Sequence, residues 1–174
     1  MPKLLPIAQL GNPILRKQAK IVDDISDRKI QELIDDMIHT TQEANGVGLA
    51  APQVSESLQI FIVASHPNPR YPYAPKMKPT AIINPKIISK SKKIIKDWEG
   101  CLSIPGIRGL VPRHESITTE YVTRDGKKEK KEFTDFIARI FQHEYDHLEG
   151  IEFLDRLKST KDIITEQEWQ KITK

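Results

Sequence analysis

The segment HEYDH at residues 143–147 contains two histidines four positions apart, with a glutamate directly after the first. On an α-helix, residues i and i+4 lie on the same face, so His143 and His147 can bind one metal ion. Glu144 then lies beside the ion without binding it and can take a proton from metal-bound water. The spacing H-E-x-x-H is typical of metal hydrolases, although a solvated helix face can carry the same letters.

A catalytic metal site of this kind needs a third protein ligand, which the two histidines do not supply. The chain has one cysteine, Cys101, which cannot form an intramolecular disulfide. Such a cysteine is an inert apolar side chain, a nucleophile or a metal ligand. It lies in EGCLS at residues 99–103, and a second glycine-containing stretch, GVGLAAPQ, lies at residues 46–53. Small residues allow close approach of the backbone to a ligand and are also ordinary in turns, so each stretch alone leaves both interpretations open.

Two helices are predicted around these residues. Apolar side chains flank the H-E-x-x-H motif, and Gly150 is placed to end the helix that carries it. Residues 26–46 predict an amphipathic helix, because apolar side chains recur there at helical spacing. Ser26 or Asp27 can cap the start of this second helix.

The remaining chain indicates strands, loops and a helical C-terminal segment. Residues 58–64 predict a buried strand, residues 80–84 and 87–95 a pair of strands, and residues 116–123 and 127–133 a hairpin. Residues 2–25 are expected to form an irregular arm, and residues 155–174 to be mostly helical.

The segment 65–79 holds five of the twelve prolines, together with Tyr71 and Tyr73. Proline lacks a backbone donor, so this segment is expected to be a loop. It either binds a partner or packs on its own domain, and the sequence leaves both open.

Separate hairpins and a few helices predict an α+β fold, with antiparallel sheets around a central helix that carries H-E-x-x-H. The second amphipathic helix lies near the N-terminus and another helix lies at the C-terminus. At 174 residues, the chain is expected to be a single catalytic domain, 1–174, with a C-terminal helical extension at 155–174.

The composition excludes several classes of protein. With 38% hydrophobic and 29% charged residues, and no long apolar run, the sequence predicts no membrane span. The N-terminus does not resemble a secretory or organelle signal, so we expect a cytoplasmic location. The net charge of +3 is mild and spread along the chain, which does not favour a dedicated DNA-binding protein.

The two glycine-containing stretches and the metal-binding motif together resemble the three motifs of the peptide deformylases. The matching segments are GVGLAAPQ at 46–53, EGCLS at 99–103 and QHEYDHLEG at 142–150, in that order. The resemblance extends from GNPIL at 11–15 through VPR at 111–113 to the terminal segment. With Leu102 after the cysteine and a C-terminal segment expected to be helical, the chain resembles the bacterial branch of the family that is associated with Gram-negative organisms. The segment 65–79 matches least.

This resemblance implies that Cys101, His143 and His147 bind one divalent metal ion, with water as the fourth ligand. Metal-bound hydroxide would attack the formyl group of an N-terminal formylmethionine and release formate. Glu144 would act as the general base and then return the proton to the leaving amine. Members of the family are hydrolases that cleave a linear amide bond in newly made polypeptides.

The resemblance also implies how the substrate is held. The side-chain amide of Gln53 and the backbone N–H of Leu102 would bind the developing oxyanion. Residues expected to bind the peptide are Val47, Gly48, Gly100 and Ile140.

A tight site against Gly48 and Leu102 could exclude an acetyl group. We further expect Arg113 to pair with Asp146 and so to steady the metal-binding helix.

The metal cannot be identified from the number of ligands. A thiolate and two imidazoles suit Fe²⁺, Zn²⁺, Co²⁺ and Ni²⁺. The resemblance implies Fe²⁺ in the cell, with Zn²⁺, Ni²⁺ or Co²⁺ in purified protein. It also implies nascent N-formylmethionyl peptides as partners. A further partner that it implies is the ribosome, which the C-terminal helix would contact, but the mixed charge of residues 155–174 leaves this contact open.

Two alternatives use the same motif. A zinc endopeptidase would need another third ligand, since Phe153 stands where a further histidine would fall, and it would leave Cys101 unexplained. A non-catalytic, metal-stabilised binding module would need a fourth protein ligand, and no second cysteine exists to supply it.

Overall fold

The computed structural model describes residues 1–172, in which three helices and eight strands alternate with short 3₁₀ turns. The helices are α1 (Arg28–Glu43), α2 (Asp135–Leu148) and α3 (Glu166–Ile172). The strands are β1 (Gly48–Ala50), β2 (Ile60–Val63), β3 (Thr80–Lys90), β4 (Ile94–Cys101), β5 (Ile104–His114), β6 (Ser116–Val122), β7 (Lys128–Thr134) and β8 (Ile163–Thr165). None of the helices in this part of the chain has the length and apolar character of a membrane span.

The strands form two antiparallel sheets. One sheet has the order β1-β2-β3-β6-β7, and the other has the order β4-β5-β8. Strands β1 and β4 are therefore each at the edge of a sheet. The predicted α+β class, with antiparallel sheets around the motif-carrying helix, is confirmed.

Helices α1 and α2 cover opposite faces of the five-stranded sheet. In β2, Ile60 and Ile62 pack with Ile34 of α1, while Phe61 and Val63 belong to the core around α2. This alternation follows from the period of two along a strand. A third apolar cluster, formed by Cys101, Ile104, Val111 and Phe153, lies at the small sheet.

Both predicted helices have the expected ends. The Asp27 side chain accepts a hydrogen bond from the Lys29 backbone N–H and caps the start of α1. Helix α2 ends at Leu148, and Gly150 follows two residues later with a φ of 71°, the left-handed conformation that favours glycine. The backbone N–H of Ile151 then donates to the carbonyl of Asp146, so the helix that carries the H-E-x-x-H motif has a closed C-terminus.

The expected pairing of residues 80–84 with residues 87–95 is wrong. Strand β3 runs through Asn84-Pro85 with a shift in register, and it pairs with β2 and β6. Asn84 has φ 48°, and its side-chain amide bonds the N–H and carbonyl of Val22, which stabilises this irregularity. Strand β4 begins at Ile94 and pairs with β5, a strand that the sequence pattern did not reveal.

The C-terminal segment is less helical than expected. A 3₁₀ turn at Thr160–Asp162 is followed by β8, which pairs with β5, and only Glu166–Ile172 is an α-helix. The end of the predicted helical extension, residues 173–174, lies outside the described residues. The β-branched Ile163 and Ile164 favour the strand once β5 offers an edge for pairing.

The proline-rich segment 65–79 folds against its own domain. The Ser65 hydroxyl donates to the Pro75 carbonyl at 2.6 Å, and the Met77 N–H donates to the Ser65 carbonyl at 2.9 Å, so the base of the loop is closed. Tyr71 is buried, and its ring lies 5.2 Å from that of Phe136 in α2. The loop is thus an ordered part of the surface next to α2.

Candidate active site

Cys101, His143 and His147 form the centre of the site. One potential ligand atom from each residue lies within 4.8 Å of those of the other two. Cys101 Sγ is 3.4 Å from His147 Nε2, and all three side chains are buried. One face of α2 provides both histidines, and the end of β4 provides the thiol. This set of one sulphur and two nitrogens fits a divalent metal ion.

A buried carboxylate orients the first histidine. His143 Nδ1 lies 2.9 Å from Glu99 Oε2, so its Nε2 is left to face the metal site. His147 Nδ1 lies 3.5 Å from Glu152 Oε1, a longer approach of the same kind. The sequence had given no role to Glu99 or Glu152. Glu99 lies within EGCLS, two residues before the thiol, and that proximity was the only local signal.

Arginines hold Glu99 and a second carboxylate, Asp146, in place. Arg113 makes two hydrogen bonds to Glu99, at 2.8 and 3.0 Å, and one to Asp146 at 2.5 Å. Arg139 also donates to Glu99, at 2.8 Å, and Arg156 makes two hydrogen bonds to Asp146. Although burial opposes ionisation, Arg113 holds the pKa of Glu99 far below its usual range. The expected Arg113–Asp146 contact is therefore part of a larger buried network.

The electrostatics of the site favour a thiolate. Burial would raise the pKa of Cys101, but attraction to His147 and hydrogen bonds to both histidines lower it to about 6. Burial would likewise lower the pKa of His147, and the charge on Cys101 raises it to about 10 instead. The thiolate is the form that binds metals. Because a metal also needs neutral imidazoles, its binding would displace protons from the histidines.

Glu144 is a buried carboxylate with one unsatisfied oxygen. Burial raises its pKa to about 7, and attraction to the two histidines only partly offsets this effect. Its Oε2 atom is buried and has no hydrogen-bond partner within residues 1–172. A Cβ built on Gly48 would lie only 2.8 Å from the Glu144 carboxylate carbon. The absence of a side chain at Gly48 thus allows the carboxylate to occupy this position.

Gln53 brings an amide donor to the thiol. Its Nε2 donates to Ser103 Oγ at 3.1 Å and lies 3.4 Å from Cys101 Sγ. Its Oε1 accepts the Ala50 N–H at 2.8 Å, which fixes the orientation of the amide. Leu102 follows the thiol directly, and its side chain packs beside Gly46.

These groups line a single cleft of about 500 Å³. Of the expected site residues, the cleft includes Val47, Gly48, Gly100, Leu102 and Ile140, together with Gln53, Cys101, His143 and Glu144; His147 lies behind its lining.

The cleft also has walls that the sequence analysis missed. They are Arg70, Tyr71, Trp98, Phe136 and Arg139. Two of them come from the proline-rich loop, whose place in the fold no local pattern indicates.

A metal-binding thiolate–imidazole set beside a buried carboxylate and an oriented amide points to a class of protein, the metal-dependent hydrolases. Comparison with known proteins narrows this class. The family model described as "Polypeptide deformylase" matches residues 4–162. The chain belongs to the peptide deformylase family, whose members are hydrolases and metalloenzymes.

Relatives match along nearly the whole chain. "Peptide deformylase 2" of Nostoc sp. is 60% identical, over 98% of this chain and 96% of its own length. "Peptide deformylase 2" of Shewanella oneidensis is 46% identical, over 95% and 91% of the two chains. The class I type b peptide deformylase from Acinetobacter baumannii, in a crystal structure described as Met-Ala-Ser bound, is 44% identical with a TM-score of 0.88, and the match covers 90% of this chain and all of that one.

Proposed function

We propose that this chain removes the formyl group from the N-terminal formylmethionine of new polypeptides and releases formate. The observation that supports this proposal best is the convergence of the Gln53 amide, the Glu144 carboxylate and the Cys101–His143–His147 set on one cleft. A base and an oxyanion donor on either side of a metal site are what hydrolysis of an amide requires.

The bound divalent ion would lower the pKa of water and polarise the formyl oxygen. Glu144 accepts the proton that water loses as its oxygen adds to the formyl carbon. When the C–N bond breaks, Glu144 gives this proton to the methionine nitrogen, so the products are formate and a free amine. Burial raises the pKa of Glu144 above its usual range, which favours a carboxyl group that can both accept and return a proton.

Negative charge develops on the formyl oxygen as water adds. The Gln53 Nε2 group and the backbone N–H of Leu102 are the proposed donors to this oxygen. The amide of Gln53 is already oriented by the Ala50 N–H and by Ser103, so it needs little rearrangement during the reaction.

The peptide is proposed to lie between two edge strands. Gly48 is in β1 and Gly100 is in β4, and both strands have an unpaired edge within residues 1–172. An extended peptide can add to such edges through backbone hydrogen bonds. The methionine side chain would then enter the apolar part of the cleft, against Val47, Leu102 and Ile140. The bulk of an acetyl methyl group would meet the close packing at Gly48.

The test is formate release from formyl-Met-Ala-Ser by metal-loaded protein, with acetyl-Met-Ala-Ser as the matched substrate and mass spectrometry of the peptide products. We expect formate and intact Met-Ala-Ser, with little reaction of the acetyl peptide. Cleavage between residues without formate would instead indicate the zinc endopeptidase. No present observation favours that alternative, since the Phe153 ring stacks on His143 at 6.2 Å where a third histidine would be needed.

Fe²⁺ is proposed as the ion in the cell, because the family resemblance implies a ferrous enzyme and the sulphur–nitrogen donor set accepts it. The test is metal analysis and turnover of protein prepared without oxygen. If the zinc-loaded protein matched the iron-loaded protein in rate, the proposal would fail.

Ribosome contact through the C-terminal segment, and the cytoplasmic location that goes with it, are also proposals. Truncation is a poor test because α3 packs on β5, so charge reversal at the exposed Lys158, Lys161 and Lys171 is preferable. Loss of cosedimentation with ribosomes, at unchanged activity on short peptides, would support the contact. Unchanged cosedimentation would contradict it.

A further inference from the structure

The proline-rich loop places one arginine at the wall of the cleft. Arg70 lies in a tight turn in which the Asn68 and Tyr71 backbones exchange hydrogen bonds of 3.2 and 3.0 Å. Asn68 Oδ1 also accepts the Arg70 backbone N–H at 2.9 Å. Tyr71 anchors the turn, because its ring is buried and its hydroxyl lies 3.4 Å from the Gly100 nitrogen. The position of Arg70 is therefore fixed relative to β4.

The guanidinium group reaches the residue next to the thiol. A Cβ built on Gly100 would lie 2.9 Å from Arg70 Nη2, so the end of the Arg70 side chain occupies the space beside Gly100. Gly100 precedes Cys101 on the unpaired edge of β4, where the substrate backbone is proposed to lie. If the formyl group of a peptide lies at the metal site, the second and third residues of that peptide would lie near Arg70.

Arg70 differs from the other arginines of this region in its partners. Arg139 is paired with Glu99, and Arg108 is paired with Glu166. Within residues 1–172, the arginine salt bridges involve Arg16, Arg28, Arg108, Arg113, Arg124, Arg139 and Arg156, and not Arg70. Burial raises the pKa of Tyr73 in the loop, and the charge of Asp97 in β4 adds to this effect, but Asp97 forms no salt bridge with Arg70 among the described residues. The cleft therefore presents a positive charge that the described part of the protein does not neutralise.

We propose that Arg70 is a specificity-determining residue that binds a carboxylate side chain on the second or third residue of the formylated peptide. This inference rests on the proposed deformylation. The planar guanidinium suits a carboxylate, which it can bind through two parallel hydrogen bonds. A basic side chain at the same position would meet like charge from Arg70.

The experiment measures kcat/KM for formate release from two pairs of C-terminally amidated peptides. One pair is formyl-Met-Glu-Ala and formyl-Met-Gln-Ala, and the other is formyl-Met-Ala-Glu and formyl-Met-Ala-Gln. The members of a pair differ only in charge, and amidation removes the competing terminal carboxylate. We expect the acidic member of at least one pair to be favoured about three- to tenfold at low salt, the size of a partly exposed charged contact.

Variants separate this effect from general damage to the loop. Arg70→Gln is expected to bring the acid-to-amide ratio to near one, mainly through KM, and Arg70→Lys to retain part of it. Lys76→Gln removes one charge from an exposed position in the same loop, outside the cleft lining, and should leave the ratio unchanged. Added salt should reduce the wild-type ratio as screening increases.

Three results would overturn the proposal, and they differ from one another. A wild-type ratio near one in both pairs removes the preference. An equal loss on all four peptides in Arg70→Gln shows that Arg70 only supports the loop or the peptide backbone. If no peptide yields formate with metal-loaded protein, the proposed function itself fails and takes this inference with it.

Discussion

At the scale of single residues, Gln53 in the cleft is expected to contribute to the stability of the fold as well as to the reaction. Gln53 is expected to hold the developing oxyanion, yet it also accepts the Ala50 N–H and donates to Ser103. Both partners lie in the buried part of the fold. We therefore expect removal of Gln53 to affect stability as well as turnover.

Gln53→Ala is predicted to lower kcat by about 10²- to 10³-fold, the usual cost of one oxyanion donor. The unsatisfied Ala50 N–H should also lower the free energy of unfolding by about 1–3 kcal/mol. Gln59→Ala is a matched control, because its amide bonds the Ala19 carbonyl at 3.3 Å, outside the cleft. Steady-state formate release and urea unfolding measure the two effects. A kcat like that of Gln59→Ala would remove Gln53 from the mechanism.

Arg113 neutralises two carboxylates behind the metal site. It is 5% exposed, and its loss would leave Glu99 and Asp146 buried with fewer cationic partners. Arg113→Ala is predicted to destabilise the fold by about 3–5 kcal/mol, as for other broken buried pairs. Metal affinity should fall about 10- to 100-fold, because Glu99 would orient His143 less firmly.

Urea unfolding and competition with a metal chelator measure these two effects. Arg124→Ala is the control, since its pair with Asp35 is substantially exposed and should matter little. Equal stability and metal retention in the two variants would contradict a supporting role for Arg113.

The site residues that the sequence revealed are those carried by contiguous motifs. His143, Glu144 and His147 follow from helical spacing, and Cys101 from its being the only thiol. Arg70 and Arg139 come to the cleft through the tertiary fold, from a loop and from the turn of α2 before the motif. No spacing in the sequence relates either residue to Glu99 or Gly100, so their positions were not predictable.

At the scale of elements, the same division holds. Helices α1 and α2 and the β6–β7 hairpin were predicted because their periodicity and turns are local in sequence. Strand β5 was missed because Pro105, Gly106, Gly109 and Pro112 interrupt its pattern. It is stabilised by pairing with β4 on one side and β8 on the other.

The C-terminal elements are fixed by a buried arginine. Arg108 in β5 is 0% exposed, bonds Glu166 at 2.7 and 3.0 Å, and stacks on the Trp169 ring at 3.6 Å. On its other side, Arg108 lies 4.9 Å from the Tyr71 ring of the proline-rich loop. Arg108 thus contacts both Glu166 at the start of α3 and Tyr71 in the wall of the cleft.

Glu166→Ala is predicted to reduce the free energy of unfolding by about 1.5–3 kcal/mol, because the buried guanidinium loses its charged hydrogen bonds. The C-terminal segment should also become sensitive to limited proteolysis before the rest of the chain. Glu168→Ala removes a carboxylate two residues away that pairs with the exposed Lys171, so it serves as the control. Indistinguishable digestion of the two variants would contradict the role of Arg108 in holding α3.

At the scale of the whole molecule, the two sheets and α2 create the site jointly. Strand β4 of the small sheet ends at the thiol, α2 carries the two histidines and Glu144, and β1 of the large sheet provides Gly48. The donor atoms assemble only in the folded chain. Metal binding should therefore stabilise the fold. Because Glu144 is not one of the proposed metal ligands, its catalytic role can be tested in protein that keeps its metal.

The most direct test of the central claim is formate release by Glu144→Gln, with the metal content measured in the same sample. Gln keeps the shape of the side chain but cannot accept the proton. We predict one metal ion per chain in both proteins and a rate on formyl-Met-Ala-Ser that is about 10²- to 10⁴-fold lower in the variant, the usual contribution of a positioned base. A variant that retained its metal and released formate at the wild-type rate would contradict the assignment of Glu144 as the base.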